Sequence, residues 1–214
     1  MFRLEGDVEE LKTELCNVVK HLFQRGLILP YGGNVSARLP GSREVWITPS
    51  GKYKGKLKPE DLVKISLEGE VLEAPEGLKP SIEYPLHISI YKRRLDVNAV
   101  VHTHSPYTTG LTIAGLDLEP VTSEAAIILE KVRLVPFAPP GSWELAEKAA
   151  GKAEEGVSAL LLQGHGVVGL GRNLLEAMAM VETLEGIALT QLSALLAARR
   201  IPSLPWKPER GEHG

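Results

Sequence analysis

The stretch NAVVHTHSPY, residues 98–107, is a short apolar run that ends in two histidines one residue apart. Side chains alternate faces along a strand, so His102 and His104 point one way while Val101 and Thr103 point the other. The alternation that buries the strand therefore delivers two imidazoles to one side of its end, the beginning of a metal site. A strand over 97–104 also sets the frame for its neighbours.

Upstream, PSIEYPLHISIYKRR reads as a helix with Ser81 as its cap and Pro85 tolerated in the opening turns. Downstream, the pattern predicts a helix over 105–114, a strand over 118–122, a short helix near 123–131 and a strand over 132–137. SWELAEKAAGKAEEG is a further helix, VSALLLQGHGVVGLG a hairpin-like pair of strands, and 173–200 a long helix with Leu and Ala on its inner face. Toward the N-terminus, Val8, Leu11, Leu15, Val18, Val19, Leu22 and Phe23 recur at helical spacing over residues 8–25, and Gly26 stands where a C-cap belongs. Strands follow in GLILPYGGNVSARLP and EVWITPSG, then a hairpin in LVKISLEGEVLE around Glu68-Gly69. Because these strands succeed one another without the intervening helices of a parallel sheet, the expected fold is a layered α/β structure with a mainly antiparallel sheet.

The 214 residues are read as one domain over 1–200, with a Pro-rich, charged tail over 201–214 that includes Trp206 and His213 and is expected to be extended. A formal charge of −3 leaves no electrostatic footprint for nucleic acid. The N-terminus MFRLEGDVEELK is acidic and has no apolar core of the kind a secretory signal carries, and no uninterrupted apolar run reaches roughly 18 residues, so neither export nor a membrane span is expected. The expected location is the cytoplasm. Cys16, the single cysteine, falls among Leu15, Val18 and Val19 and reads as a buried structural thiol.

The His102–His104 pair needs a third ligand, and the best candidate is His165, set between glycines at the end of a second apolar strand. Three neutral imidazoles with an open position describe a catalytic rather than a structural zinc site. Glu83, at a predicted helix start, suits a fourth ligand or a base beside the metal, and His87, one turn further on, competes with it. Two other segments suit an anion. Gly32 and Gly33 free backbone N–H groups beside the amide of Asn34, while Ser50 and Gly51 offer a hydroxyl and another N–H. Ser81 adds a hydroxyl at the expected positive end of a helix. Such donor sets bind phosphate.

GGNVSAR, TPSG, PSIE, HTH and GHG, in this order over residues 32–166, resemble the class II aldolase/adducin-like family. The resemblance implies a three-layer α/β/α sandwich that assembles as a homotetramer with active sites between subunits. It implies Zn2+ on His102, His104 and His165, with Glu83 as ligand and proton-transfer base, and phosphate against Gly33, Asn34, Ser50, Gly51 and Ser81. The implied activity is cleavage of a phosphorylated ketose, L-fuculose 1-phosphate or similar, to dihydroxyacetone phosphate and an aldehyde. Dehydration of a methylthioribulose-type phosphate uses the same site. Epimerases of the family resemble this chain but carry Asp where Glu83 stands. Members that cleave fuculose 1-phosphate have a second serine at the position of Ile82, and tyrosines after the HxH strand and in the C-terminal tail. Here the tail has no tyrosine, so Glu124 and Tyr107 are the candidates for handling the proton at the aldehyde end.

Overall fold

The computed structural model describes residues 4–198; the tail expected over 201–214, with Trp206 and His213, lies outside the described residues. Helix α1 (Leu4–Gln24) leads into strands β1 (Asn34–Ala37), β2 (Glu44–Ile47), β3 (Val63–Ser66) and β4 (Val71–Glu73). Then come α2 (Tyr84–Arg93), β5 (Ala99–Thr103), α3 (Pro106–Ile113), α4 (Ser123–Ile128), β6 (Val132–Val135), α5 (Trp143–Lys152), β7 (Ala159–Leu162), β8 (Gly166–Gly171) and α6 (Leu174–Ala198). The strands form one sheet in the order β4-β3-β2-β1-β5-β8-β7-β6, in which only β6 and β7 run parallel. The fold is therefore the α/β sandwich with a mainly antiparallel sheet that the strand succession implies.

Alternation along the central strands divides the core. Val35, Ala37, Ala99 and Val101 face α1 and α6, packing with Leu15, Val19, Leu22, Val181 and Leu184. Val100, Leu160 and Val168 face the other way and pack with Leu86, Ile90 and Tyr91 of α2 and with Leu145 and Ala149 of α5. Helix α6 is long and apolar enough by length and composition to cross a membrane, yet Leu174, Ala177, Val181, Leu184 and Ile187 along one side of it are buried in this core. Cys16 is buried in the same layer, and desolvation together with Asp61 and Glu60 pushes its thiol up to about 12, so it stays protonated.

Two expectations are corrected. Residues 118–122 form no strand. Gln191 of α6 holds this segment instead, its Nε2 donating to Asp117 O and its Oε1 accepting from Glu119 N, while Pro120 removes a donor that a ladder would need. Ser81 also does not cap α2, which starts at Tyr84 with Glu83 in the capping position. Ser81 instead belongs to the preceding turn, where its N–H donates to Thr48 O and its Oγ accepts from Glu83 N.

Close seating of α6 on β8 depends on Gly169, where a Cβ would lie 2.1 Å from the carbonyl oxygen of Ala177. Gly169→Ala is expected to destabilise the chain by about 1–3 kcal/mol through overpacking. Thermal unfolding checks this, and an unchanged Tm would contradict that seating.

Candidate active site

Antiparallel pairing of β1 with β5 sets Asn34 opposite His102, so both side chains leave the sheet toward α2. His104 follows at the strand end, where its N–H donates to Leu27 O, and His165 comes from the tight turn between β7 and β8. That turn must lie against β5. Gly164 adopts φ +65°, and a Cβ at Gly166 would fall 2.2 Å from Thr103 O. Gly33, at φ +77°, and Gly32, where a Cβ would press to 2.8 Å from His104 Nδ1, let the loop before β1 close over the same end. Glu83 adopts φ −92° and ψ 10°, the sparsely populated bridge region where active-site residues recur, and this carries its carboxylate to the imidazoles.

One ligand-type atom from each of Glu83, His102, His104 and His165 lies within 4.8 Å of the others. Glu83 Oε2 is 3.3 Å from His102 Nε2, and Glu83 Oε1 is 3.2 Å from His165 Nε2. Glu83 Oε1, His102 Nε2, His104 Nε2 and His165 Nδ1 are all buried without a hydrogen-bond partner. Unpartnered buried acceptors in one cluster are costly unless something electrophilic joins them. His102 Nδ1–H donates to Val167 O at 3.0 Å, which fixes the tautomer that leaves the Nε2 lone pair facing the cluster. Desolvation, aided by the charge on His102, holds His104 and His165 down to about 4, so both are neutral, the form that ligates metal. Burial alone would raise Glu83, but His102, His165 and the Asn34 amide outweigh it and hold the carboxyl well below its usual range. For His102, burial is likewise outweighed by Glu83, which raises it. The donor set fits a divalent cation, which would bring the counter-charge to Glu83.

Asn34 is placed differently from the sequence expectation. Its Nδ2 donates to Glu83 Oε2 at 2.8 Å and its Oδ1 accepts from His87 Nε2 at 2.5 Å, so it orients the carboxylate. His87 Nδ1 then accepts from Ser36 Oγ at 2.7 Å, and Ser36 Oγ lies 2.8 Å from the Tyr91 hydroxyl. His87, Ser36 and Tyr91 have no exposed surface. Sequence reading set His87 beside Glu83 but missed the partners. The available signal was the spacing of Glu83, His87 and Tyr91 along one helix face, matched by Asn34 and Ser36 on one face of β1.

A cavity of about 270 Å³ opens over this cluster, lined by Gly33, Asn34, Ser50, Ser81, Glu83, His104 and His165. Lys54, which the sequence reading did not single out, also lines it, with Tyr31, Ile82 and Pro140 forming an apolar side. Gly51, at φ +67°, is next to Ser50 but is not among the lining residues. Glu124 is exposed in the first turn of α4 and Tyr107 is 40% exposed on α3; neither lines the cavity within one chain.

Residues 13–192 match the family described as class II aldolase and adducin N-terminal domain. Over 188 residues the chain is 35% identical to an L-fuculose phosphate aldolase of Methanocaldococcus jannaschii, covering 88% of this chain and 99% of that one. It is 37% identical over 182 residues to a 3-oxo-tetronate 4-phosphate decarboxylase of Haemophilus influenzae, covering 83% and 84%. Among solved structures, an L-fuculose 1-phosphate aldolase superposes with a TM-score of 0.81 at 32% identity, covering 92% and 91%.

Two outcomes are expected at this site. The purified chain binds a divalent cation and His102→Ala abolishes that binding, as measured by metal analysis after dialysis. His87→Leu keeps the bulk but removes both hydrogen bonds, and is expected to lower kcat about 10–100-fold with a much smaller change in KM, because it loosens the carboxylate through Asn34. Steady-state kinetics separate the two parameters.

Proposed function

The chain belongs to the class II aldolase and adducin family of metal-dependent lyases, and from that premise we propose that it is a zinc-dependent aldolase. It would cleave a phosphorylated ketose, with L-fuculose 1-phosphate first to test, into dihydroxyacetone phosphate and an aldehyde. The observation that carries this reading is the convergence of Glu83 and three imidazoles beside a cavity that also holds Ser50, Ser81 and the Gly33 turn. Zn2+ on His102, His104, His165 and Glu83 would supply a Lewis acid for the oxygen atoms on which negative charge develops as the carbon–carbon bond breaks.

Within that reading Glu83 moves the proton. Its Oε2 is fixed by Asn34, while Oε1 has no hydrogen-bond partner and is the atom free to accept and return a proton. Gly33, Ser50 and Ser81 are assigned to the phosphate, with Gly51 beside Ser50, while Asn34, expected there from the sequence, holds the Glu83 carboxylate instead. Tyr31 and Ile82, 68% and 67% exposed although they line the cavity, support a site that a neighbouring subunit closes, as in the proposed homotetramer. Glu124 and Tyr107 would then reach the aldehyde end from across a subunit boundary. The cytoplasm, where the lone Cys16 stays reduced, is the location that goes with this activity.

The Haemophilus influenzae relative supports a second reading, in which the departing fragment is carbon dioxide from a 3-oxo acid phosphate. Product analysis distinguishes them: the aldolase reading expects an aldehyde with dihydroxyacetone phosphate from the ketose phosphate, whereas release of carbon dioxide from the oxo acid alone would replace it. Under either reading Glu83→Gln is expected to fold and to lose about 10²–10⁴-fold in turnover, the range for removing a general acid–base group. Near wild-type turnover in that variant would move the base elsewhere.

A further inference from the structure

Lys54 stands out among the charged side chains. It is only 2% exposed, and among the described residues it pairs with no carboxylate. Among the described residues its ammonium makes one hydrogen bond, from Nζ to Pro49 O at 2.7 Å, leaving two N–H donors without a partner there. Burial lowers its pKa to about 8, with no acidic neighbour to offset the effect. A buried ammonium with no counter-ion is unfavourable in an empty protein, and such groups concentrate where a ligand brings the missing charge.

The local backbone fixes where that charge would sit. Residues 54–56 form a single 3₁₀ turn, and Lys54 N donates to Pro30 O just before the glycine loop. Pro49, whose carbonyl holds the ammonium, precedes Ser50, and Pro49 is bridged to Pro80, which precedes Ser81. The backbone links Ser50 N→Lys79 O and Ser81 N→Thr48 O lock the two serine segments together. Lys54, Ser50, Ser81 and Gly33 therefore line one cavity.

We propose that Lys54 is the cationic anchor of the substrate's phosphate group, pairing with the dianion beside Ser50 and Ser81 and selecting phosphorylated over unphosphorylated ketoses. This inference rests on the phosphate reading of the cavity. A substrate of this kind carries the counter-ion that the chain itself lacks, while the hydroxyl and N–H donors set the orientation of the anion.

Calorimetric titration with inorganic phosphate tests it on the wild type, Lys54→Met, Lys54→Arg and Ser50→Ala. Lys54→Met is expected to weaken phosphate binding about tenfold to a hundredfold, the scale for a hydrogen bond to a charged group, with metal content unchanged and Lys54→Arg restoring most of the affinity. KM for a cleaved ketose phosphate should rise more than kcat falls. If Lys54→Met binds phosphate like wild type while Ser50→Ala binds it weakly, the Lys54 inference fails and the phosphate site stands. If the wild type and every variant bind none, the phosphate reading falls and takes this inference with it. Should Lys54→Met fail to fold, the wild type still decides. Phosphate must shift the ¹³Cε resonance of Lys54, identified by its loss in Lys54→Arg, and an unmoved resonance overturns the proposal.

Discussion

A carboxylate buried in a protein must be compensated where it lies, and Glu83, 5% exposed, has no lysine or arginine beside it among the described residues. Its compensation comes from two imidazoles and one amide, and each of those demands something from the fold. His102 needs Val167 O to fix its tautomer, which needs β8 paired with β5. Asn34 needs the β1–β5 register, and its carbonyl needs His87, which needs Ser36 two residues along the same strand. The glycines at 33 and 166 follow from the same demand, since a side chain at either would force apart the segments that bring these groups together. The site is thus a consequence of strand register more than of loop conformation, which is why it can be rigid while its ligand atoms stay unpartnered.

That dependence explains what was legible in the sequence. Period-two alternation in NAVVHTHSPY puts two histidines on one face whatever the rest of the chain does, and glycines flanking His165 mark a turn that something approaches closely. The fold was legible for the same reason, because strands that follow one another without helices pair antiparallel. What alternation does not encode is which polar partner a segment takes. LDLEP alternates like a strand, but the sheet ends at β6, and a side chain 72 residues beyond Glu119, Gln191, satisfies its backbone instead. Ser81 has the residue type of a helix cap, yet Pro85 sits at the start of α2 and Ser81 serves the turn before it. Asn34 read as a donor to an external anion because a sequence does not show that Glu83 reaches it first. Lys54 carried no signal at all: a lysine in SGKYKGKL looks solvated until the structure buries it.

The two ends of the cavity are built on opposite electrostatic plans. The end at Glu83 combines an anionic carboxylate with His104 and His165, kept neutral by burial, and so suits a cation. On the proposed reading the other end, where Ser50, Ser81 and Lys54 line the cavity, takes an anion. The loop Tyr31–Asn34 contributes to both, which fixes the distance between them. A substrate spanning the two ends is oriented before any bond changes, and orientation alone removes a large part of the barrier.

That division also accounts for relatives of similar identity that carry different activities. Aldehyde loss from a ketose phosphate and carbon dioxide loss from an oxo acid phosphate both leave an electron pair on the carbon next to a carbonyl, and both need the same charge stabilised in the same place. On the proposed reading, the residues that would hold the phosphate and the carbonyl oxygens serve either reaction. Only the departing fragment differs, and it must lie against the remaining wall. In this chain Tyr31, Ile82 and Pro140 line that apolar side, and the first two remain open to solvent in a single subunit. On this reasoning the reaction class belongs to the polar residues at the strand ends, while the choice of substrate belongs to the apolar side formed by Tyr31, Ile82 and Pro140.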